Sequence, residues 1–393
     1  MARSGGALAV LRTVALTAVT VSPTFLMGSM AVQIRQDIDL GPAGIGIGAA
    51  VMFGVGGLLA PLSGALVERA GPRAGMAGAA LLTSVALLGM ASATDFGNLA
   101  AALAVAGAAN ALGQPATNIG LSRAIVPHRL GTALGAKQAS IPTASLLGGL
   151  AVPMGALAVG WRWMFVSAAA IALFVGLWNW TRALAAAPAP SVPTGGSVPR
   201  AGTSRPAMVL FSCGGGLAAA AATSLGIFLV DSAVSSGISP GMAGGVFAAV
   251  AAIGLLARVA AGALIDARPL WSPYLLVAAM LVVGSVGFGF LAVGSPWGIA
   301  AGALFAYGAG WAWPGLMHYG VVRGGHAGVG RATGYLQIGL SLGAACGPLA
   351  FGLISEEWSY GASWALAGVA LAGSAAVIAV GNALDSRSHP TQP

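Results

Sequence analysis

Twelve apolar runs follow one another through this chain, each near or above the ~20 residues a helix needs to cross the hydrocarbon core of a bilayer. They fall at roughly 13–34, 43–67, 74–94, 97–121, 131–158, 162–183, 206–230, 241–265, 272–293, 296–320, 331–354 and 361–383. Inside lipid every backbone N–H and C=O needs a partner within the protein, so only helices and closed barrels span. The runs lack the period-two alternation of a barrel strand, so helices are expected. Composition agrees. Only 7% of residues are charged and 57% are hydrophobic, whereas a soluble domain carries about 25% charged residues. The expected fold class is an all-α membrane protein of twelve transmembrane helices. Short connections leave no room for a soluble catalytic domain, so neither enzyme activity nor a cofactor or metal is expected.

The first run follows Arg3 and Arg12 and has the look of a secretory leader. It is long enough to span and further spans follow it, so it reads as an uncleaved first helix. One polar connection is long. Ala185 to Arg205 is rich in Pro, Ala, Gly and Ser and holds Arg200 and Arg205 with no acid. It reads as a cytoplasmic linker between an N-terminal six-helix bundle, residues 1–184, and a C-terminal one, residues 206–384. Residues 385–393 are polar and are expected to form a disordered tail.

Basic residues set the orientation. With the N-terminus on the inner side, 15 of the 17 basic residues fall inside or at the inner membrane edge. Only Arg35 and Arg162 fall outside, a strong positive-inside bias that a missed span would spoil. Eight tryptophans lie near predicted span ends, where amphipathic rings prefer to sit, and Trp311 and Trp313 are mid-span. The formal charge of +8 does not indicate nucleic acid, because the basic residues are scattered singly and form no patch. Cys213 and Cys346 lie in apolar runs without metal-ligand spacing and read as small packing residues.

Between the second and third runs stands Gly64-Ala-Leu-Val-Glu68-Arg69-Ala-Gly71-Pro72-Arg73, a tight polar hairpin. A weaker copy, Gly262-Ala-Leu-Ile-Asp266-Ala-Arg268, lies 198 residues on. Pro115 answers Pro314, Gly135 answers Gly334 and Gln138 answers Gln337, all at an offset of 199. The pattern G-x-x-x-E-R-x-G-x-R resembles the signature loop of the major facilitator superfamily of secondary transporters, where the acidic position is more often Asp. The resemblance covers essentially the whole chain. It implies two pseudo-symmetric six-helix halves about an axis along the membrane normal, both termini in the cytoplasm, alternating access and a monomer in a bacterial inner membrane. It also implies that Gly64, Glu68, Arg69, Gly71 and Arg73, with Gly262 and Asp266 in the second copy, form cytoplasmic latches. Glu68 is placed to pair with Arg69 or Arg73, or to face the N-terminus of helix eleven, whose partial positive charge favours an acid.

In such a family the substrate cavity lies near the midplane, lined by helices one, four, seven and ten. Helix one carries Thr13, Thr17, Thr20 and Thr24 on one face. Helix four carries Asn110, Gln114, Thr117 and Asn118, helix seven Ser224, Phe228 and Asp231, and helix ten Tyr307, Trp311 and His318. Hydroxyls and amides in membrane bundles also bond between helices or to their own backbone, which is the plainer reading for any single Thr. Lys137, the single lysine, sits inside helix five beside Gln138, and Arg258 sits inside helix eight. A cation at the centre of a membrane helix costs about 2.5–3.5 kcal/mol, although one near an end can snorkel to the interface. Arg258 resembles both a structural Arg common in the family and the carboxylate-binding Arg of monocarboxylate transporters, where a Pro usually follows and Val259 stands here.

No Asp or Glu lies near the middle of any predicted span. That argues against a proton-coupled exporter of cationic drugs, and the antiporter pattern of such exporters is broken in helix five at Ala144, Gly148 and Gly149. Asp231 and His318 are the candidate proton sites. The leading expectation is transport of a small organic anion or neutral metabolite. Export of an amphiphilic drug or secondary metabolite is the alternative, and a transporter-like receptor or lipid-handling protein without flux is a reading from another class. Gly339-Leu-Ser341-Leu-Gly343 matches a hydrolase nucleophile elbow only on paper, since that motif needs a strand-to-helix turn.

Overall fold

The computed structural model describes residues 2–122, 129–184, 204–324 and 329–388. Among them are helices and turns but no strand. The first helix, α1, is Ala2–Ser29, and a turn at Met30 leads into the short helix Ala31–Ile34. Then come α2 (Pro42–Ala70), α3 (Pro72–Ala91), α4 (Phe96–Ser122), α5 (Leu130–Ala151) and α6 (Trp161–Leu184). The second half holds α7 (Arg205–Ser235), α8 (Pro240–Ala267), α9 (Pro273–Val293), a broken α10, α11 (Val329–Glu357) and α12 (Tyr360–Ser388). The sequence writes these boundaries. Pro42, Pro72, Pro206, Pro240, Pro273 and Pro296 each occupy the first turn of a helix, where a missing N–H costs nothing. Ser204, Ser272 and Ser295 cap helices by accepting a backbone N–H. Gly71, between α2 and α3, has φ 87°, so the signature hairpin turns through a conformation that favours glycine.

Among the described residues, eleven helices are long and apolar enough to cross a membrane. The span expected at 296–320 is the exception. It breaks into Pro296–Phe305, a π-helical turn at Ala306–Gly310 and Pro314–Gly324. Pro314 has no N–H to continue the helix and its ring crowds the preceding turn. These pieces together are α10. Helix α5 also loosens, through a π-helical turn at Val152–Ala156 that contains Pro153.

The two halves repeat their pairings. Helix α3 packs on α6, α1 on α5 and α2 on α4; six helices later, α9 packs on α12, α7 on α11 and α8 on α10. Helices α1 and α7 lie at the centre, 67% and 83% buried, whereas α6 is 33% buried and faces outward. The halves are joined chiefly by α2 with α11 and α5 with α8, and also by α1 with α7 and by α5 with the Pro314–Gly324 piece of α10.

Three expectations are corrected. Helix α12 runs to Ser388, so Asp385 is helical rather than part of a tail, and it accepts a hydrogen bond from the Ser204 N–H. Cys213 and Cys346 are exposed on outward helix faces instead of packed. The first span begins near Ala2 and ends at Ser29. Residues 185–203 and 389–393, most of the expected linker and tail, lie outside the described residues.

Candidate functional site

A polar cluster lies where α4, α5, α8 and α10 meet. Its centre is Arg258, 1% exposed. The break in α10 leaves the Trp311 carbonyl available to a side chain, and it accepts from Arg258 Nε at 2.8 Å. Arg258 Nη1 donates to the Gln138 carbonyl on α5. Arg258 Nη2 is buried with no hydrogen-bond partner. The guanidinium carbon lies 5.1 Å from the Trp311 ring centroid, a cation–π contact. Tyr307 packs edge-on against Trp311, with ring centroids 4.6 Å apart, and its hydroxyl is buried beside Ser145. Phe25 of α1 meets Trp311 from the other half at 5.8 Å.

The second cation is Lys137, 5% exposed. Its ammonium donates to Asn118 Oδ1 and, at 3.3 Å, to Gln114 Oε1. Gln114 in turn donates to Asn110 Oδ1 at 3.3 Å. The amide stripe expected on α4 is thus the seat of Lys137. Next along α5, the Gln138 amide lies 3.5 Å from His318 Nδ1. That nitrogen is 2.7 Å from the Pro314 carbonyl, which only accepts, so Nδ1 carries a proton.

Other candidates stand elsewhere. Thr17 and Thr20 are buried inside the N-terminal half, Thr20 bonding to the Thr17 carbonyl, and Thr24 donates to Met52 Sδ of α2. Gln337 is exposed on α11 and bonds Ser341. Asp231 lies at the outer end of α7. It accepts from Arg35 Nη1 and Nη2 at 3.2 and 3.0 Å and from the Tyr360 hydroxyl, so it is held in an ion pair far from His318 in the chain's inward path.

The charge distribution around the cluster is one-sided. Among the described residues Asp231 is the only buried acid, and Arg35 and Tyr360 occupy it. The other acids lie at helix ends. Asp37 pairs with Arg162 and accepts from the Trp161 indole at 3.0 Å, and these two donors hold its carboxyl below its ordinary pKa. Glu356 accepts from the Ala43 N–H at the start of α2. Lys137 and Arg258 therefore sit among neutral partners only.

The signature hairpins differ. Gly64 has nothing within 4 Å of where a side chain would start. Glu68, Arg69 and Arg73 are exposed, and no ion pair joins them among the described residues. In the second copy Gly262 lies against Gly131 of α5, and Asp266 accepts from the N–H groups of Gly131 and Thr132 at 2.9 and 2.8 Å and from the Thr132 hydroxyl at 2.7 Å. An acid on two free N–H groups at a helix start is a strong cap. Sequence reasoning missed this partner, as it missed the Arg35–Asp231–Tyr360 cluster. The only available signals were Thr132 at a helix start and the outward placement of Arg35.

The family model described as Major Facilitator Superfamily matches residues 13–328. No curated protein matches the chain.

Proposed function

This chain belongs to the major facilitator superfamily, a family of secondary transporters, and from that premise we propose that it carries a small organic anion by alternating access. One observation carries the proposal. Two cations, Lys137 and Arg258, are buried where the halves meet, with no acid beside them and one guanidinium nitrogen unpartnered. Each costs about 2.5–3.5 kcal/mol at membrane depth on insertion scales. An anionic substrate supplies the missing counter-charge. A cationic substrate would meet repulsion from both.

Alternating access is supported by an asymmetry between the two ends. At the outer end the halves are joined by Arg35–Asp231 and by Glu356 on the start of α2. At the inner end α2 and α11 stand apart around Gly64 and Gly334, neither of which has a neighbour within 4 Å. We read this as an inward-facing state, with the Glu68 latch released. A monomer in a bacterial plasma membrane fits the same reading. The aromatic group of Phe25, Tyr307 and Trp311 favours export of an amphiphile as the second reading.

Counterflow in proteoliposomes separates these readings, using a panel of small carboxylates, neutral metabolites and amphipathic cations. The expected result is saturable carboxylate exchange that Arg258→Ala abolishes. Exchange of cations or drugs that ignores this substitution would replace the anion with the amphiphile. No saturable flux of any solute would reject transport itself.

A further inference from the structure

We propose that the preferred substrate carries two negative charges, one held by Lys137 and the other by Arg258, as in a dicarboxylate. This rests on the anion reading above and narrows it. The two cations are not one site. Arg258 is anchored through α10 and α5, by the Trp311 and Gln138 carbonyls. Lys137 is anchored through α4, by Gln114 and Asn118. Lys137 is adjacent on α5 to Gln138, whose carbonyl holds Arg258, so the same stretch of α5 carries one cation and anchors the other, on different walls of the cluster.

Each wall keeps capacity for a ligand oxygen. On the Arg258 wall, Nη2 is buried without a partner, and the Tyr307 hydroxyl lies beside Ser145 Oγ of α5, within reach of each other. A carboxylate accepts from all three kinds of donor. On the Lys137 wall the ammonium has three donors and uses two on amide oxygens. Asn118 is exposed and Gln114 half-buried, so this wall is reachable by solute. Two cations with no acid beside them leave a monoanion with one cation uncompensated, and a dianion with none.

The test measures binding to the purified full-length protein in detergent at a pH where both carboxyl groups are ionised. The probes are butanedioate and butanoate, with ethanedioate and hexanedioate to vary the separation of the charges. The expected result is that at least one dicarboxylate binds tenfold or more tightly than butanoate. Lys137→Gln should cut that preference to threefold or less, and Lys137→Arg, which keeps the charge, should maintain it. Equal affinity for butanoate and every dicarboxylate would overturn the two-charge assignment and leave the anion reading standing. A preference that survives Lys137→Gln in a protein that remains monodisperse would also overturn it, because the second charge would then be read elsewhere. Failure of every carboxylate to bind, with a neutral or cationic probe bound instead, would overturn both.

Discussion

The α5–α8 and α2–α11 interfaces are built alike and closed unequally. Each is an antiparallel pair that joins the halves, and each is the other's counterpart under the internal repeat. Along α5–α8 the backbones touch from end to end. A methyl group at Gly131 would lie 2.7 Å from the Gly262 carbonyl, one at Gly135 2.6 Å from the Arg258 carbonyl, and one at Gly149 2.7 Å from the Gly244 carbonyl. Along α2–α11 the contact fades inward. A methyl group at Gly352 would lie 2.3 Å from the Pro42 carbonyl and one at Gly46 2.4 Å from the Pro348 carbonyl, but one at Gly57 reaches only Ser341 at 3.8 Å, and Gly64 meets nothing. The acids at the two inner ends follow the same division. Asp266 is docked on the start of α5, and Glu68 is exposed. On the alternating-access reading proposed above, one interface is the pivot and the other the gate, and small residues permit both because close backbone approach is what holds membrane helices together.

The largest expected effect comes from the outer lock. Arg35→Ala leaves Asp231, whose side chain is 3% exposed, without its cation. Breaking a buried pair costs about 3–5 kcal/mol, and the lower end applies because Arg35 itself is 40% exposed. The expected outcome is a shift toward outward-open states, read as faster labelling of an outer-end cysteine. Asp231→Asn should cost less, since the cation it abandons can reach water; equal effects would contradict this account of the lock.

Next in size is Gly135→Val on the pivot. Overpacking typically costs about 1–3 kcal/mol, so a lower melting temperature and loss of exchange are expected. Gly64→Ala on the gate should leave the melting temperature unchanged and slow exchange, because Gly64 meets a neighbour only when the inner end closes. Equal thermal effects at the two positions would remove the distinction between pivot and gate.

Asp266→Ala should cost about 0.5–2 kcal/mol as a lost helix cap, measured by thermal unfolding, whereas Glu68→Ala should leave unfolding unchanged and slow exchange. The smallest effect is at the outer rim. Asp37 is held below its ordinary pKa by Trp161 and Arg162. Its contribution is therefore present above the ordinary carboxylate pKa and is lost as pH falls through the depressed one. Asp37→Asn should flatten that part of the acid limb of the stability profile by a small amount, because the pair is exposed.

Much of this architecture was legible in the sequence because lipid leaves few choices. The apolar runs and the prolines in first turns define helices and boundaries. The repeat offset foretold that α5–α8 and α2–α11 would be counterparts. The break in α10 was less legible, because Pro314 matches Pro115, and Pro115 lies inside an unbroken α4; the difference lies in Gly308, Gly310 and the π-helical turn before it. Lys137 and Arg258 stood out as cations in apolar runs, yet their partners are a carbonyl of Trp311 and amides of α4, which only packing selects. Which latch would be docked was not legible at all. The fuller motif leaves Glu68 exposed and the poorer copy has Asp266 docked on α5, a difference that lies in packing and not in the motif.

The most direct test of a pivot beside a gate is a pair of distance measurements between spin labels, in a background with Cys213 and Cys346 replaced by serine. One pair, at Leu66 and Tyr335, spans the inner ends of α2 and α11; the other, at Gln36 and Ser235, spans the outer ends of the two halves. The account predicts a long inner and a short outer distance in the otherwise unaltered protein, and the reverse after Arg35→Ala. Inner and outer distances that both stay unchanged after Arg35→Ala would contradict it.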